Sequence, residues 1–406
     1  MISKRARGIE PSLTLEITAK AAKLRAEGRD IVGLGAGEPD MATPGFIIEA
    51  AERAMRGGKM KYTATAGILE LRKAICEKLR RENGLFYEPE QIVVSNGAKQ
   101  SLFNVVMCAI DPGDEVIVVC PYWITYTEII KLAGGKAVFV GELVGKKAEI
   151  VGEKGGFVGE KTGFLGSIEA ILGSISNKTR AVILNSPSNP GGVVYSREEL
   201  EELARGLCKI NKERGGEPIV VISDEIYEKL TYGGGHFSIA RVYPNTVVVN
   251  GFSKSHAMTG WRVGWTACSR ELADAMVALQ SHTTSSINAG AQYGALVALT
   301  DPRGEVFIRE MQKTFRKRRD FVLGRLEKMR GITFTRPDGA FYVLVDVSRF
   351  GAAAKVAMDL LERGVAVIPC EQFGAPRCVR ISYAAAMDEL KKGMDRMEKY
   401  FIGCCR

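Results

Sequence analysis

Residues 250–264 read NGFSKSHAMTGWRVG, and they put Lys254 just after the apolar run TVVVN. A lysine in such a loop is ordinarily a solvated charge. At the end of a buried strand it is also a candidate amine for a covalent bond to a carbonyl group. That chemistry needs helpers, and the sequence offers several. Asp224 closes the run PIVVISDE, and Tyr227 follows three residues later. Asn189 lies in NSPSNPGG, after TRAVIL. Gly97, Ala98 and Lys99 open a helical pattern after QIVVS. Ser253 and Arg262 flank the lysine, and Arg380 sits in VRISY. Each residue alone is more often structural; Asp224, for one, could cap a helix that starts at Glu225.

Together these residues meet the demands of one group. Pyridoxal phosphate held by a lysine imine needs a carboxylate that keeps its ring nitrogen protonated, so that the ring can absorb electrons. Asp224 suits that task. The ring oxygen needs donors, and Tyr227 and Asn189 are candidates. The phosphate needs helix-start amides and a cation. Gly97-Ala98-Lys99 can supply the first, Ser253 and Arg262 the second. An amino-acid substrate brings a carboxylate that an arginine fork can grip bidentately, a role open to Arg380.

These residues must be held by some framework. Strand-like apolar runs occupy 91–97, 114–120, 137–140, 179–187, 218–225, 246–251 and 262–268. Helical patterns lie between them, at 98–110, 125–133 and 198–212. Continuous apolar strands separated by helices predict an α/β fold with a mostly parallel sheet covered on both faces. Ligands of such sheets sit beyond the carboxyl ends of the strands, where the polar residues named above collect. From about residue 300 a charged helical stretch (305–330) precedes the strand-like GITFTRPDGAFYVLVDV, GVAVIPC and VRISY. That predicts a smaller α+β domain completed by the N-terminal segment. The expected division is 1–47 for the arm and part of the small domain, 48–296 for the large domain and 297–406 for the small one.

One segment falls outside this scheme. VGKKAEI, VGEKGGF and VGEKTGF fill 144–150, 151–157 and 158–164. Recurrent glycine and the missing apolar seam exclude a coiled coil. A glycine-rich surface hairpin inserted at about 141–166 is expected.

Composition narrows the function classes. The 406 residues carry a net charge of +9, spread along the chain, which argues against a nucleic-acid surface. Its one local cluster, KTFRKRR at 313–319, reads as a solvated helix face. No apolar run is long enough to cross a membrane, and no signal peptide is read at the N-terminus. Nine cysteines without a CxxC, mostly in apolar runs, predict reduced thiols and a cytoplasmic protein. The three histidines, His236, His256 and His282, have no ligand spacing, so no metal site is expected.

SDEIYE followed by NGFSKSHAMTGWRVGW resembles the class I, fold-type I pyridoxal-phosphate aminotransferases. GAGEPDMATP (35–44), KYTATAGILELR (61–72), SNGAKQSLFN (95–104), CPYWITY (120–126), NSPSNPGG, PDGAFY (337–342) and VRISYA (379–384) match that family's segments in order. The resemblance implies that Lys254 forms the internal aldimine and moves the proton between substrate Cα and cofactor C4′. It assigns Asp224 to the pyridinium nitrogen, Tyr227 and Asn189 to the ring oxygen, and Trp123 to stacking on the ring. Gly97, Ala98, Ser253 and Arg262 would hold the phosphate. Tyr62 would reach the phosphate of a neighbouring subunit, implying a homodimer with shared sites. Arg380 and the backbone at Gly37 would hold the substrate α-carboxylate. Gly191 stands where the family usually has threonine. The pattern is most similar to prokaryote-type aspartate aminotransferases, in which residues at the places of Lys99 and Thr14 bind the distal carboxylate. The expected reaction is L-aspartate plus 2-oxoglutarate to oxaloacetate plus L-glutamate. Aromatic amino acids or prephenate, alanine, and a pyridoxal-phosphate β-lyase are the alternatives.

Overall fold

The computed structural model describes residues 1–10, 13–141 and 167–404. The seven-residue repeat and the hairpin expected there lie outside the described residues. The main sheet has seven strands in the spatial order Ile92–Asn96, Val263–Ala267, Thr246–Gly251, Val220–Asp224, Thr179–Asn185, Glu115–Val119 and Lys136–Val140. Six of them run parallel. Val263–Ala267 runs antiparallel to both of its neighbours.

The two faces of the strands pack into separate cores. Ile183, Ile222 and Val249 face helices Ala98–Ala109, Thr125–Ala133 and Arg270–Thr283 through Leu102, Ile129 and Met276. Val182, Leu184 and Val221 face helix Arg197–Arg214 through Leu200, Leu203 and Leu207. Burial on both faces is why these strands read as unbroken apolar runs. Each fully buried leucine contributes about 1.5–3 kcal/mol. The helix at 197–214 starts at a reciprocal cap, in which Ser196 accepts from the Glu199 amide and Glu199 accepts from the Ser196 amide.

A second, four-stranded antiparallel sheet has the order Ile368–Pro369, Cys378–Ser382, Tyr342–Asp346 and Thr333–Phe334. Val32–Gly33 pairs in parallel with Val365–Ala366. The run GVAVIPC therefore serves two sheets, two residues in each. Helix Pro302–Leu326 starts and ends a few residues earlier than its charge pattern suggests; its start is set by Asp301, which caps it, and Pro302, which fills its first position. Its Met311, Phe315 and Leu326 pack with Phe341, Val343 and Tyr227 in one core. Tyr227 belongs to the turn after the Asp224 strand, so this core joins the second sheet to the first. KTFRKRR is not simply a solvated face. Arg318 turns inward and grips Asp40 with two bonds, at 2.6 and 2.8 Å, since its own helix turn carries the buried Phe315. No helix among the described residues is long and apolar enough to cross a membrane.

Candidate active site

A cavity of about 970 Å³ opens at the carboxyl ends of the parallel strands and is closed on its far side by Tyr342, Phe373 and Arg380. At one end, strand Ile92–Asn96 turns through Gly97 (φ +80°) into helix Ala98–Ala109. A Cβ on Gly97 would stand 2.4 Å from Arg262 Nη2, and one on Gly264 would stand 2.1 Å from the Ala98 nitrogen. Two glycines thus let Arg262 lie against the helix start. Arg262 itself holds φ +55°, a conformation that costs about 1–3 kcal/mol in a non-glycine residue. It donates to the carbonyls of Thr259 (3.0 Å) and Asn96 (3.3 Å). First-turn amides without helical acceptors, beside a guanidinium, form an anion site. Ser253 lines the same cavity. So does Lys99, whose ammonium lies 4.9 Å over the Trp123 ring. Burial, then Arg262, push the Lys99 pKa down.

Lys254 follows strand Thr246–Gly251 and donates to the Gly37 carbonyl at 2.5 Å. Burial pushes its pKa down to about 8; Glu38 opposes this, and Arg380 and Arg262 add to it. Asp224 ends its own strand. Burial pushes its pKa up to about 6, against a bond from Tyr126 Oη to Oδ2 at 2.7 Å. The Ile226 amide also donates to Oδ1 at 3.3 Å, so Asp224 caps a turn as well as facing the cavity. Tyr227 Oη lies 2.9 Å from Tyr342 Oη, and burial keeps the phenol protonated.

Arg380, buried in strand Cys378–Ser382, donates to Asn189 Oδ1 at 2.8 Å and to the Gly35 carbonyl at 2.9 Å. Its plane stands 4.4 Å over the Tyr342 ring. Its Nε has no hydrogen-bond partner among the described residues. The Asn189 amide donates to Asn185 Oδ1 at 2.7 Å, and Asn185 Nδ2 donates to the Asp224 carbonyl at 2.9 Å. The arrangement offers an anion site at one end, a guanidinium at the other, and a near-neutral amine in the same cavity as a buried carboxylate.

A family model described as aminotransferase class I and II matches residues 29–396. The chain belongs to that family. It is 43% identical to a probable aspartate/prephenate aminotransferase of Aquifex aeolicus and 41% identical to an aspartate aminotransferase of Bacillus subtilis, covering 98% of both chains in each case. Among solved structures it is similar to the aspartate aminotransferase of Thermus thermophilus with maleate. That match has a TM-score of 0.89 and 42% identity, over 98% of this chain and 99% of the other. The aspartate aminotransferase of Rhizobium meliloti gives 0.88 and 37%, over 100% and 99%. The fold is therefore that of the fold-type I aminotransferases.

In this aminotransferase the cavity gathers Gly37, Ala98, Lys99, Trp123, Asn189, Asp224, Tyr227, Ser253, Lys254, Arg262 and Arg380. Gly97 borders it through the helix start. Tyr62 is not among the lining residues; it is 93% exposed. The Thr14 side chain lies outside the described residues. Gly37 meets Lys254 through its carbonyl, a contact the sequence did not suggest. Three further partners escaped sequence reasoning: Tyr126 on Asp224, Tyr342 on Tyr227, and Asn185 behind Asn189. Each lies in or beside a recognised segment (CPYWITY, PDGAFY, NSPSNPGG). Which residue bonds which is set by strand register, which sequence does not print.

Proposed function

We propose that this aminotransferase uses pyridoxal phosphate to convert L-aspartate and 2-oxoglutarate to oxaloacetate and L-glutamate. The observation that carries the reading is Lys254, a half-buried lysine hydrogen-bonded to the Gly37 carbonyl, its pKa pushed down to about 8, opening on the cavity that holds Asp224, Arg262 and Arg380. The donor set suits the cofactor. Gly97 and Gly264 leave a cradle that any Cβ would fill, so a phosphate can rest against the Ala98 amide, Ser253 and Arg262. Asp224 offers the ring nitrogen a carboxylate. Tyr227 offers the ring oxygen a donor. So does Asn189, whose Oδ1 already accepts from Arg380, leaving its Nδ2 free to turn to the ring. Trp123 offers a flat face, held edge-on to Tyr126 at 5.6 Å.

When bound, pyridoxal phosphate supplies a carbonyl that bonds amines and a protonated ring that takes up the electron pair freed at the substrate Cα. The chain's own residues do the rest. Lys254 Nζ, as a neutral amine, would take the proton from the substrate Cα and hand it to the cofactor carbon on the other side of the substrate nitrogen. Arg380 holds the α-carboxylate with its unpartnered Nε–H, beside the backbone at Gly37. Lys99, in the cavity wall, holds the distal carboxylate, a task the family resemblance shares with Thr14. Relatives named aspartate aminotransferase support aspartate as donor. A second reading, aromatic amino acids or prephenate, is favoured by an apolar wall of Tyr122, Ile129 and Phe139, with the first and last stacked at 5.2 Å.

Tyr62 and, within 14 residues of it in the chain, Ile48, Met55, Met60 and Leu69 are all exposed, which suits a homodimer in which Tyr62 serves the partner's phosphate. None of the seven cysteines with described side chains is in a disulfide, which suits a cytoplasmic protein. The deciding experiment is the visible absorption of the holoenzyme on adding L-aspartate, L-phenylalanine or L-alanine. Aspartate is expected to bleach the cofactor band and 2-oxoglutarate to restore it. Bleaching by phenylalanine alone moves the substrate to the second reading. Release of pyruvate and ammonia without a keto acid marks a β-lyase. No band after adding pyridoxal phosphate ends the proposal.

A further inference from the structure

The turn Asp224–Glu228 presents its residues to two places. Asp224 and Tyr227 line the active-site cavity. Glu225 and Glu228 enter a buried group of charges behind it. Lys78 pairs with Glu228, whose other oxygen accepts from Asn83 Nδ2 at 2.8 Å. Lys78 also lies 3.6 Å from Glu82, which Lys229 reaches at 2.6 Å. Glu225 Oε1 accepts from Ser223 (2.9 Å) and Ser238 (2.6 Å). Glu225 Oε2 lies 2.9 Å from His236 Nε2, an ion-pair distance without hydrogen-bond alignment, and neither ring nitrogen of His236 has a hydrogen-bond partner among the described residues. The ligating atoms of Glu225, Glu228 and His236 all fall within 4.8 Å of one another. Their side chains are 1%, 7% and 6% exposed.

Transamination uses none of these groups directly. A metal ion is a poor occupant. Both oxygens of Glu228 are taken by Lys78 and Asn83, and a lysine ammonium already fills the cationic place. The charge count points elsewhere. Lys78 and Lys229 face Glu82, Glu225 and Glu228. Arg81 and Glu305 extend the group to the surface and offset each other. One negative charge is left over, and a buried charge persists only when paired. The other groups near do not cancel it. Tyr87, close to Glu225, is kept a neutral phenol by burial and then by Glu225 itself. Buried His256 is neutral, its pKa pushed down to about 4 by burial. Arg241 and Arg197 stand over the Phe237 ring, Arg241 also beside Gly84, and among the described residues neither forms an ion pair with a carboxylate of the cluster.

We infer that His236 is the missing cation and a positioning residue of the active site: as imidazolium it anchors Glu225, and with Glu228 fixed by Lys78 the turn is clamped from behind so that Asp224 and Tyr227 meet the cofactor. The inference rests on the pyridoxal-phosphate reading for its consequence, not for the charge. Burial opposes the proton on His236, but Glu225 and Glu228 outweigh it and raise its pKa. Glu225 would otherwise bear more strongly on Asp224, whose pKa it already pushes up.

The test has two arms on the holoenzyme. Histidine-selective NMR, with His282→Gln for assignment, reads the charge of His236 directly. It should be protonated at pH 7, with a midpoint above the ordinary ~6.5. In the second arm the pH midpoint of the cofactor's visible band is measured in His236→Gln and in the double variant Glu225→Gln/His236→Gln. Removing the cation alone should raise the midpoint by roughly half a pH unit. Removing both charges should return it close to wild type. A merely structural role leaves both midpoints in place, or makes the double variant worse. A neutral His236 at pH 7, an unmoved midpoint in folded His236→Gln, or one bound divalent metal per chain that is lost with His236 overturns the inference. If His236→Gln does not fold, the NMR arm decides alone. Wild-type protein with no visible band defeats the pyridoxal-phosphate reading instead, and the charge of His236 is still measured.

Discussion

Tyr126 donates to a carboxylate that burial already pushes toward its neutral form. Removing that bond in Tyr126→Phe costs the ionised form about 1.5–3 kcal/mol. The Asp224 pKa then rises further above about 6. Turnover with aspartate should fall roughly tenfold to a hundredfold, and the acid limb of the pH–rate profile should move to higher pH. An unchanged profile between pH 5.5 and 9 would remove Tyr126 from the mechanism. Lys254 gives a second pH prediction. Its folded pKa is lowered from 10.5 to about 8, so the reactive neutral amine is half present at about pH 8 and predominates above it. In stopped-flow reconstitution, cofactor uptake by stripped protein should rise roughly tenfold per pH unit below that point and level off beyond it. A rate still climbing at pH 10 means the lysine is not perturbed. At this scale the sequence named the reactive groups, because lysine, aspartate and arginine at strand ends are visible as types. It did not reveal Tyr126, Asn185 or His236, whose meaning lies in a neighbour far along the chain. The histidines lacked ligand spacing in sequence, yet His236 and Glu225 meet in space.

Strand Val263–Ala267 shows why an element's direction matters. Its antiparallel course brings the chain back to the edge it left at Gly251, so Arg262 lies against the helix start at Ala98 while Ser253 and Lys254 line the same cavity. Gly264 is the point of closest approach. In Gly264→Ala the new Cβ would sit 2.1 Å from a backbone nitrogen, which cannot yield as a side-chain tip does. The strand or the helix must move, at about 1–3 kcal/mol, and cofactor affinity should drop with stability. Denaturation and cofactor titration would both register it; a variant with wild-type affinity refutes the cradle. Gly191 is the contrasting case. A Cβ there meets Ser188, Val193 and Leu344 at 3.5–3.7 Å, ordinary contacts, and its φ is not positive. Gly191→Ala should therefore stabilise the fold by about 0.4–1 kcal/mol through the unfolded chain, with kcat unchanged. A loss of stability would mean the turn needs glycine. Six of the seven long strands were legible because burial on both faces leaves unbroken apolar runs; the edge strand Lys136–Val140 is partly exposed and was legible only by its short apolar stretch. The reversal of one strand was not, since an apolar run looks the same in either direction. Nor was the split of GVAVIPC between two sheets, where two-residue strands carry no period.

Across the whole molecule the site draws Lys254 and Asp224 from one sheet and Arg380 from the other, and the proposed dimer adds Tyr62. Mixed dimers test that addition. In a hybrid of Lys254→Ala and Tyr62→Phe chains, one site keeps both native residues only if Tyr62 serves the partner. That site should hold the cofactor as tightly as wild type, whereas the Tyr62→Phe homodimer should bind it roughly tenfold more weakly, the loss of one hydrogen bond of about 1.4 kcal/mol. Equal weakness in hybrid and homodimer would put Tyr62 outside the site.

The pairing of Ile92–Asn96 with Val263–Ala267 joins segments roughly 170 residues apart in the chain. A ribosome adding about 5–20 residues per second needs roughly 10–35 s to make the second after the first. Through that interval the apolar edge of Ile92, Val93 and Val94 waits without its partner strand, open to any other strand edge. Yield in the cell is therefore expected to depend on what shelters the growing chain. The anion cradle at Gly97 and Gly264, built across this same pair, cannot exist until translation is well past the lysine.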